Sequence, residues 1–440
     1  MSSDFYAAAM FPLLFIFIFL GFPVSFSLIA TAFIAAWPVF GALSAFQVFG
    51  VVEHTASQFL LSAIPAFVFM GVMLEASGIS ERLFSAMQVW LHRFPGGLAL
   101  TTMCMAGVIA ASTGIVGAVE VVIGVMAIPV MLKNKYSKSL ISGTICAGGS
   151  LGTMIPPSLV VVIYASISNQ SVGKLFWAVL IPASLMVVLF LGYIIFRAIF
   201  FPADAPRAVN PPSTTLAQKL KITATGIFPA FTLIVAVLGS ILWGVATPTE
   251  AASVGSAGAV ILAICYRSLT WNVLKRTLIS TLYINTMIMM IVLGGNIFSG
   301  IFRLHKGNEL IQGLISTHDF STFTIVGLML LMVFLAGLVL DWVSIVLISL
   351  PIFLPILVAA EIDPIWFAAL MVIVIQTSYL TPPMAPSIFY LRSIAPAEIT
   401  YMDMYKGVVP FIICQILVLV LVLAWPELAT YLPSRAQGIN

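Results

Sequence analysis

Long apolar runs follow one another from end to end of this chain, which leaves it few folds. A helix crossing the lipid core takes roughly 20 apolar residues. Lipid offers no hydrogen bonds, so backbone groups must be satisfied inside helices or a closed barrel. Runs such as Ile412–Ala424 lack the apolar–polar alternation of barrel strands. Composition agrees: 61% of residues are hydrophobic and 8% charged, against roughly 25% charged in globular domains. The chain reads as an all-α polytopic membrane protein in the lipid bilayer. A net charge of +3 gives no reason to expect a nucleic-acid partner. Cys104, Cys146, Cys265 and Cys414 are widely spaced in apolar surroundings and read as small buried hydrophobes. The four histidines form no ligand spacing, and the start, MSSDFYAAAM, lacks the basic region of a cleavable signal peptide.

Two of the runs are broken in the same way. Residues 148–164 read GGSLGTMIPPSLVVVIY, and residues 376–391 read QTSYLTPPMAPSIFYL. Proline removes a backbone donor and clashes with the preceding turn, and glycine is a poor helix former. Each cluster therefore interrupts a helix inside the membrane.

The breaks belong to a duplication. A first repeat, 1–200, holds scaffold helices within 5–77, an amphipathic arm at 80–94, a split pair at 98–132, a broken helix at 138–168 and a helix at 172–200. A polar, proline-rich linker spans 201–221. A second repeat, 222–430, holds scaffold helices within 223–301, an arm at 303–317, a split pair at 322–360, a broken helix at 364–395 and a helix at 407–430, before a tail at 431–440. Pro129 and Pro156 recur 226 positions later as Pro355 and Pro382, and Pro23 in GFPVSF has its partner in Pro248 of ATPTEA.

Charge sets the orientation. The base of the first split pair carries His92, Arg93, Lys133, Lys135 and Lys138; the second carries His318, Asp319, Glu361 and Asp363. Basic residues mark the cytoplasmic side. The first base and the linker, with Arg207, Lys219 and Lys221, are expected inside, and the second base outside. Arg303 and Lys306 run against this pattern. The repeats are thus expected to be inverted, with both termini outside.

Each split pair reads as a re-entrant hairpin, with two plain crossings as the alternative. The tips, ASTG at 111–114 and the stretch around Asp341, are too apolar and small for exposed loops, and the breaks lie where a tip would meet them. Inverted repeats with discontinuous helices are the build of a secondary transporter. A first site would join Ser112, Thr113 and Gly114 to Gly149, Ser150, Gly152, Thr153 and Pro156. A second would join Gly337, Asp341 and Ser344 to Thr377, Ser378, Thr381, Pro382 and Pro383. Hydroxyls and freed carbonyls suit Na⁺, and helix N-termini suit a carboxylate. Ser112, Gly114, Gly149, Gly152 and Thr153 are the candidate ligands of one Na⁺. Gly337, Asp341, Thr377, Thr381 and Pro382 are those of a second. Ser112, Thr113, Gly114, Ser150, Thr153, Ser378 and Thr381 are candidates for substrate contact. Asp341 is an acid within the membrane, an expensive placement that points to function, as ion ligand or protonation site. Glu120 and Glu250 are further intramembrane acids. Glu250 starts a helix, where a carboxylate complements the dipole; Glu120 faces either way on this reading.

The chain resembles a family. FMGVMLEASGISERLF (69–84), ASTGIVGAVEVVIGVMAIPVM (111–131), GGSLGTMIPPS (148–158), ATPTEAASVG (246–255), GLVLDWVSIVLISLPIFLPIL (337–357) and SYLTPPMAPS (378–387) are similar to the large membrane subunit of TRAP (tripartite ATP-independent periplasmic) transporters. The resemblance implies an elevator-type, Na⁺-driven importer of organic acids in a bacterial or archaeal inner membrane. It implies delivery of substrate by a periplasmic binding protein and a small four-helix membrane subunit as partner. In some relatives that subunit is fused at the N-terminus; here Met1 leads directly into the first helix, so a separate chain is expected. The alternative is a self-sufficient Na⁺/carboxylate or ion transporter. An intramembrane hydrolase would need an acid pair, a Ser–His pair or a metal motif, and none is evident.

Overall fold

A computed structural model describes residues 3–114, 116–207, 215–316, 321–382 and 384–436. These residues are helical with no strand among them, and eight helical stretches are long and apolar enough to cross a membrane. The first half opens with α1 (Ser3–Phe19), α2 (Val24–Phe40), α3 (Leu43–Ala56) and α4 (Ala63–Ala76). The arm is α5 (Ile79–Leu91). α6 (Gly97–Thr113) and α7 (Val116–Lys133) make the first hairpin. α8 (Lys138–Ser150) and α9 (Leu159–Ser168) are the halves of the broken helix, and α10 (Val172–Phe200) closes the repeat.

The second half runs through α11 (Leu216–Gly226), α12 (Phe228–Leu242), α13 (Pro248–Cys265), α14 (Trp271–Leu304) and the arm α15 (Gly307–Ser316). The second hairpin is α16 (Thr322–Gly337) and α17 (Trp342–Ala359). The broken helix is α18 (Pro364–Leu380) and α19 (Pro386–Ile394), followed by α20 (Tyr401–Ala424) and α21 (Glu427–Ala436).

Three elements differ from the expectation. The linker is helical from Leu216, because Thr215 and Gln218 form a capping box. The last expected helix divides at Trp425–Pro426 into α20 and α21. The stretch before α4 holds an additional helix, α3. Moved back by 226 positions, the single helix α14 covers 45–78, the stretch that the first half divides between α3 and α4. The division falls at Ser57 and Gln58, where the second half has Tyr283 and Ile284. Gln58 is extended, with φ −74° and ψ 101°, and its side chain accepts a hydrogen bond from Ser166 at 2.8 Å, so a tertiary contact replaces the helical one. His318, Asp319 and Pro383 lie outside the described residues.

Two groups of helices pack with the same pairings in both halves. α2 lies on α14 as α13 lies on α4, and α1 lies on α2 as α12 lies on α13. Ser256 pins α13 to α4 by donating to the Ala66 carbonyl at 2.7 Å. Glu250 caps α13: its carboxylate accepts from the Thr247 amide and hydroxyl, each at 2.8 Å, which is the structural role. In the other group, α8 packs on α20 and α18 on α10. The first hairpin lies on α8 and sends α7 across α19; the second lies on α18 and sends α17 across α9. Each hairpin therefore touches the broken helix of both halves.

Candidate functional site

At the first tip, α6 ends on Gly114 in the left-handed conformation, φ +63°, which an L side chain rarely adopts. A β-carbon there would stand 3.3 Å from the Pro157 carbonyl and 3.4 Å from the Leu159 nitrogen. The tip thus sits directly on the break between α8 and α9. On its other side, Thr113 packs against Gly71 of α4, where a β-carbon would come within 2.7 Å of the Thr113 Cα.

The second tip meets its own break in the same way. Gly337 packs on Ser378, leaving no room for a β-carbon. The Trp342 amide donates to the Tyr379 hydroxyl at 3.2 Å. Asp341 is half-buried and caps α17. It accepts from the Val343 amide at 3.0 Å, the Ser344 amide at 3.3 Å and the Ser344 hydroxyl at 2.5 Å. Its carboxylate thus complements the positive end of a helix that starts inside the membrane.

The candidate hydroxyls share one property. Ser112 and Thr113 donate to the Ile109 carbonyl at 2.8 and 3.1 Å, and Thr153 donates to Ser150 at 3.0 Å. Thr377 donates to Ile373 at 2.8 Å, Ser378 to Ile375 at 2.8 Å and Thr381 to Thr377 at 2.7 Å. Each proton is spent on the residue's own helix, so the oxygen lone pairs remain for an acceptor role. Oxygens of this kind, with carbonyls released at the two breaks, form a donor set that fits a hard monovalent cation. Gly152 and Pro156 are buried at the first break; Thr381 and Pro382 are half-buried at the second.

Ser150 is placed differently. Fully buried, it donates to Ala147 at 2.8 Å and accepts from the Gln376 and Gln415 amides at 3.2 and 3.4 Å. Its oxygen is committed to the joint between α8, α18 and α20. Gly149 packs against Glu120 of α7. Sequence reasoning missed the two glutamines. Each is a single amide in an apolar run, and only their shared partner marks them out.

A cavity of about 1300 Å³ opens at the ends of α9 and α17 remote from Lys135. Gln47 and His54 of α3, Asn296 and Arg303 of α14, and Asn169 beyond α9 line it, and among the described residues no carboxylate does. Arg303 is exposed. The charge that ran against the orientation pattern thus faces an aqueous recess.

The family model described as "Tripartite ATP-independent periplasmic transporter, DctM component" matches residues 11–428. The C4-dicarboxylate TRAP transporter large permease protein DctM of Pseudomonas aeruginosa is 27% identical over 384 residues, 87% of this chain and 88% of that protein. The ectoine/5-hydroxyectoine TRAP transporter large permease protein UehC of Ruegeria pomeroyi is 27% identical over 439 residues, 98% of this chain and 99% of that protein. In fold, the chain is similar to the YdaH transporter of Alcanivorax borkumensis, with TM-score 0.61 and 14% identity over 89% of this chain and 90% of that one.

Proposed function

The chain belongs to the DctM component family of tripartite ATP-independent periplasmic transporters, and from that premise we propose that it imports an organic acid across the inner membrane, driven by Na⁺. It is a multi-pass membrane permease, and its relatives are permeases, not enzymes. A periplasmic binding protein delivers the solute, and a small membrane subunit completes the assembly, as the tripartite family implies. The observation that carries the Na⁺ reading is the meeting of each hairpin tip with its own break, among hydroxyls whose lone pairs are free.

The substrate class follows from relatives that carry carboxylated solutes and from the chemistry of the recess. Arg303 and His54 in the cavity supply cationic or polar contacts for a carboxylate on its way in. The hairpins and broken helices move as one body against α1–α4 and α12–α14, which carries the tips from one face to the other. When bound, Na⁺ supplies positive charge beside the substrate carboxylate. The chain's own residues hold the ion, exclude lipid and set the register of the tips.

Uptake in proteoliposomes tests this. The permease, its small subunit and a loaded binding protein are reconstituted with an inward Na⁺ gradient. Uptake that stops when Na⁺ is replaced by K⁺ or choline supports the reading. Uptake unaffected by that replacement and following a proton gradient removes it. Full uptake by this chain alone removes the partner requirement.

A further inference from the structure

Glu120 lies in α7, about one helical turn in from its start at Val116, with 0% of its surface exposed. Neither carboxylate oxygen has a hydrogen-bond partner among the described residues, and none of the ion pairs there involves it. The Ser387 hydroxyl of α19 stands beside the carboxyl without the geometry of a hydrogen bond, and its own oxygen is likewise buried and unpartnered. On the near side, the Glu120 side chain occupies the place a β-carbon of Gly149 would take, at the last turn of α8 before the break. Gly117, one turn earlier on α7, packs on Tyr390 of α19, where a β-carbon would come within 2.9 Å of the ring. Three oxygens from two helices thus converge at the last turn of a third, with no counter-charge from the protein.

A carboxyl so placed must either keep its proton or face a cation, because burial strips its water and nothing replaces it. We propose that Glu120 supplies the anionic ligand of the first Na⁺ site, with the Ser387 hydroxyl joining it from the opposite repeat; this rests on the Na⁺-driven reading above. Each hairpin then contributes one carboxylate, Glu120 and Asp341. The duplication does not relate them: the positions 226 away are Val346 and Ile115. A lone carboxylate among neutral oxygens suits a small monovalent ion over a divalent one. Binding there would tie α7 and α8 of the first half to α19 of the second.

The test reads ion binding directly. Thermal unfolding of the purified protein is followed against NaCl, with choline chloride holding ionic strength constant and KCl as the comparison cation. Wild type is expected to be stabilised by Na⁺ and not by K⁺. Glu120→Gln keeps size and removes the charge. It is expected to raise the Na⁺ concentration for half-maximal stabilisation about tenfold or more, as loss of a charge in contact with the ion implies. Glu120→Asp is expected to fall between the two. A wild-type Na⁺ midpoint in Glu120→Gln overturns the proposal, as does an unchanged midpoint with an altered pH profile, which would mark a proton-carrying group instead. Should Glu120→Gln fail to fold, Ser387→Ala carries the test: a raised midpoint supports the site and an unchanged one overturns it. If wild type itself shows no Na⁺-specific stabilisation and its uptake ignores Na⁺, the Na⁺-driven reading fails and takes this site with it.

Discussion

Gly143 and Gly407 meet backbone to backbone where α8 crosses α20. A β-carbon at 143 would fall on the Gly407 carbonyl, and one at 407 would lie 2.8 Å from the Gly143 nitrogen. Rigid main chain leaves neither side able to give way. Small residues at such crossings let membrane helices approach closely enough for dispersion contacts to hold them. Gly143→Ala or Gly407→Ala is expected to destabilise the protein by about 1–3 kcal/mol, the usual cost of overpacking. Gly192→Ala, with open space around it, is the matched control. Thermal unfolding in detergent checks this. Equal midpoints for all three variants would mean that the crossing is not tight.

The same crossing brings the Gln415 amide to Ser150, where Gln376 joins it. Ser150→Ala leaves two buried amides without their acceptor, and each costs about 1–3 kcal/mol when unpaired. A marked fall in thermal stability is expected, with the Na⁺ concentration for half-maximal uptake unchanged in the molecules that remain folded. A raised Na⁺ requirement without loss of stability would return Ser150 to the site.

Much of this architecture is legible without coordinates. Proline and glycine mark the breaks because they act on the backbone locally, and the repeat shows because both halves spend those residues at the same offsets. Gly114 and Asp341 end up where tip residues are expected because a left-handed turn and a helix cap are local devices. What escapes the sequence is long-range. Helix α3 stays hidden because its end at Ser57 and Gln58 depends on Ser166, more than a hundred residues away. Glu120 faces Gly149 and Ser387, and Ser150 faces two glutamines, through the crossing of helices from both halves. No periodicity along one helix records which neighbour its polar residue meets.

Asp341 offers a separation of cap from charge. Asparagine caps a helix about as well as aspartate, whereas alanine loses the cap and costs about 1 kcal/mol. Asp341→Asn is therefore expected to keep the fold while raising the Na⁺ requirement for uptake, and Asp341→Ala to do both harms. Thr153→Val and Thr381→Val remove one oxygen each at constant shape, and a smaller rise is expected in at least one of them. Uptake against Na⁺ concentration, with membrane insertion measured separately, gives the comparison. If Asp341→Asn leaves the Na⁺ curve in place, the residue is a cap and nothing more.

Arg303 projects from the end of α14 into the recess beside α9 and α17. With no acid among the described residues that line the recess, its charge sets the local potential, and a positive recess with apolar walls concentrates anions. The effect belongs to the approach of the substrate, not to its binding at the tips. Arg303→Gln is accordingly expected to raise KM for a carboxylate substrate about three- to tenfold at low ionic strength, with the maximal rate little changed. Arg303→Lys keeps the charge and is expected to stay near wild type. Added salt shortens the reach of an exposed charge, to about 8 Å at physiological strength. The gap between Arg303→Gln and wild type should therefore close as choline chloride is added at fixed Na⁺. Initial uptake rates across that titration decide the matter. A KM difference that salt does not touch would point to a direct contact at the tips, and no difference at any ionic strength would remove Arg303 from the substrate's path.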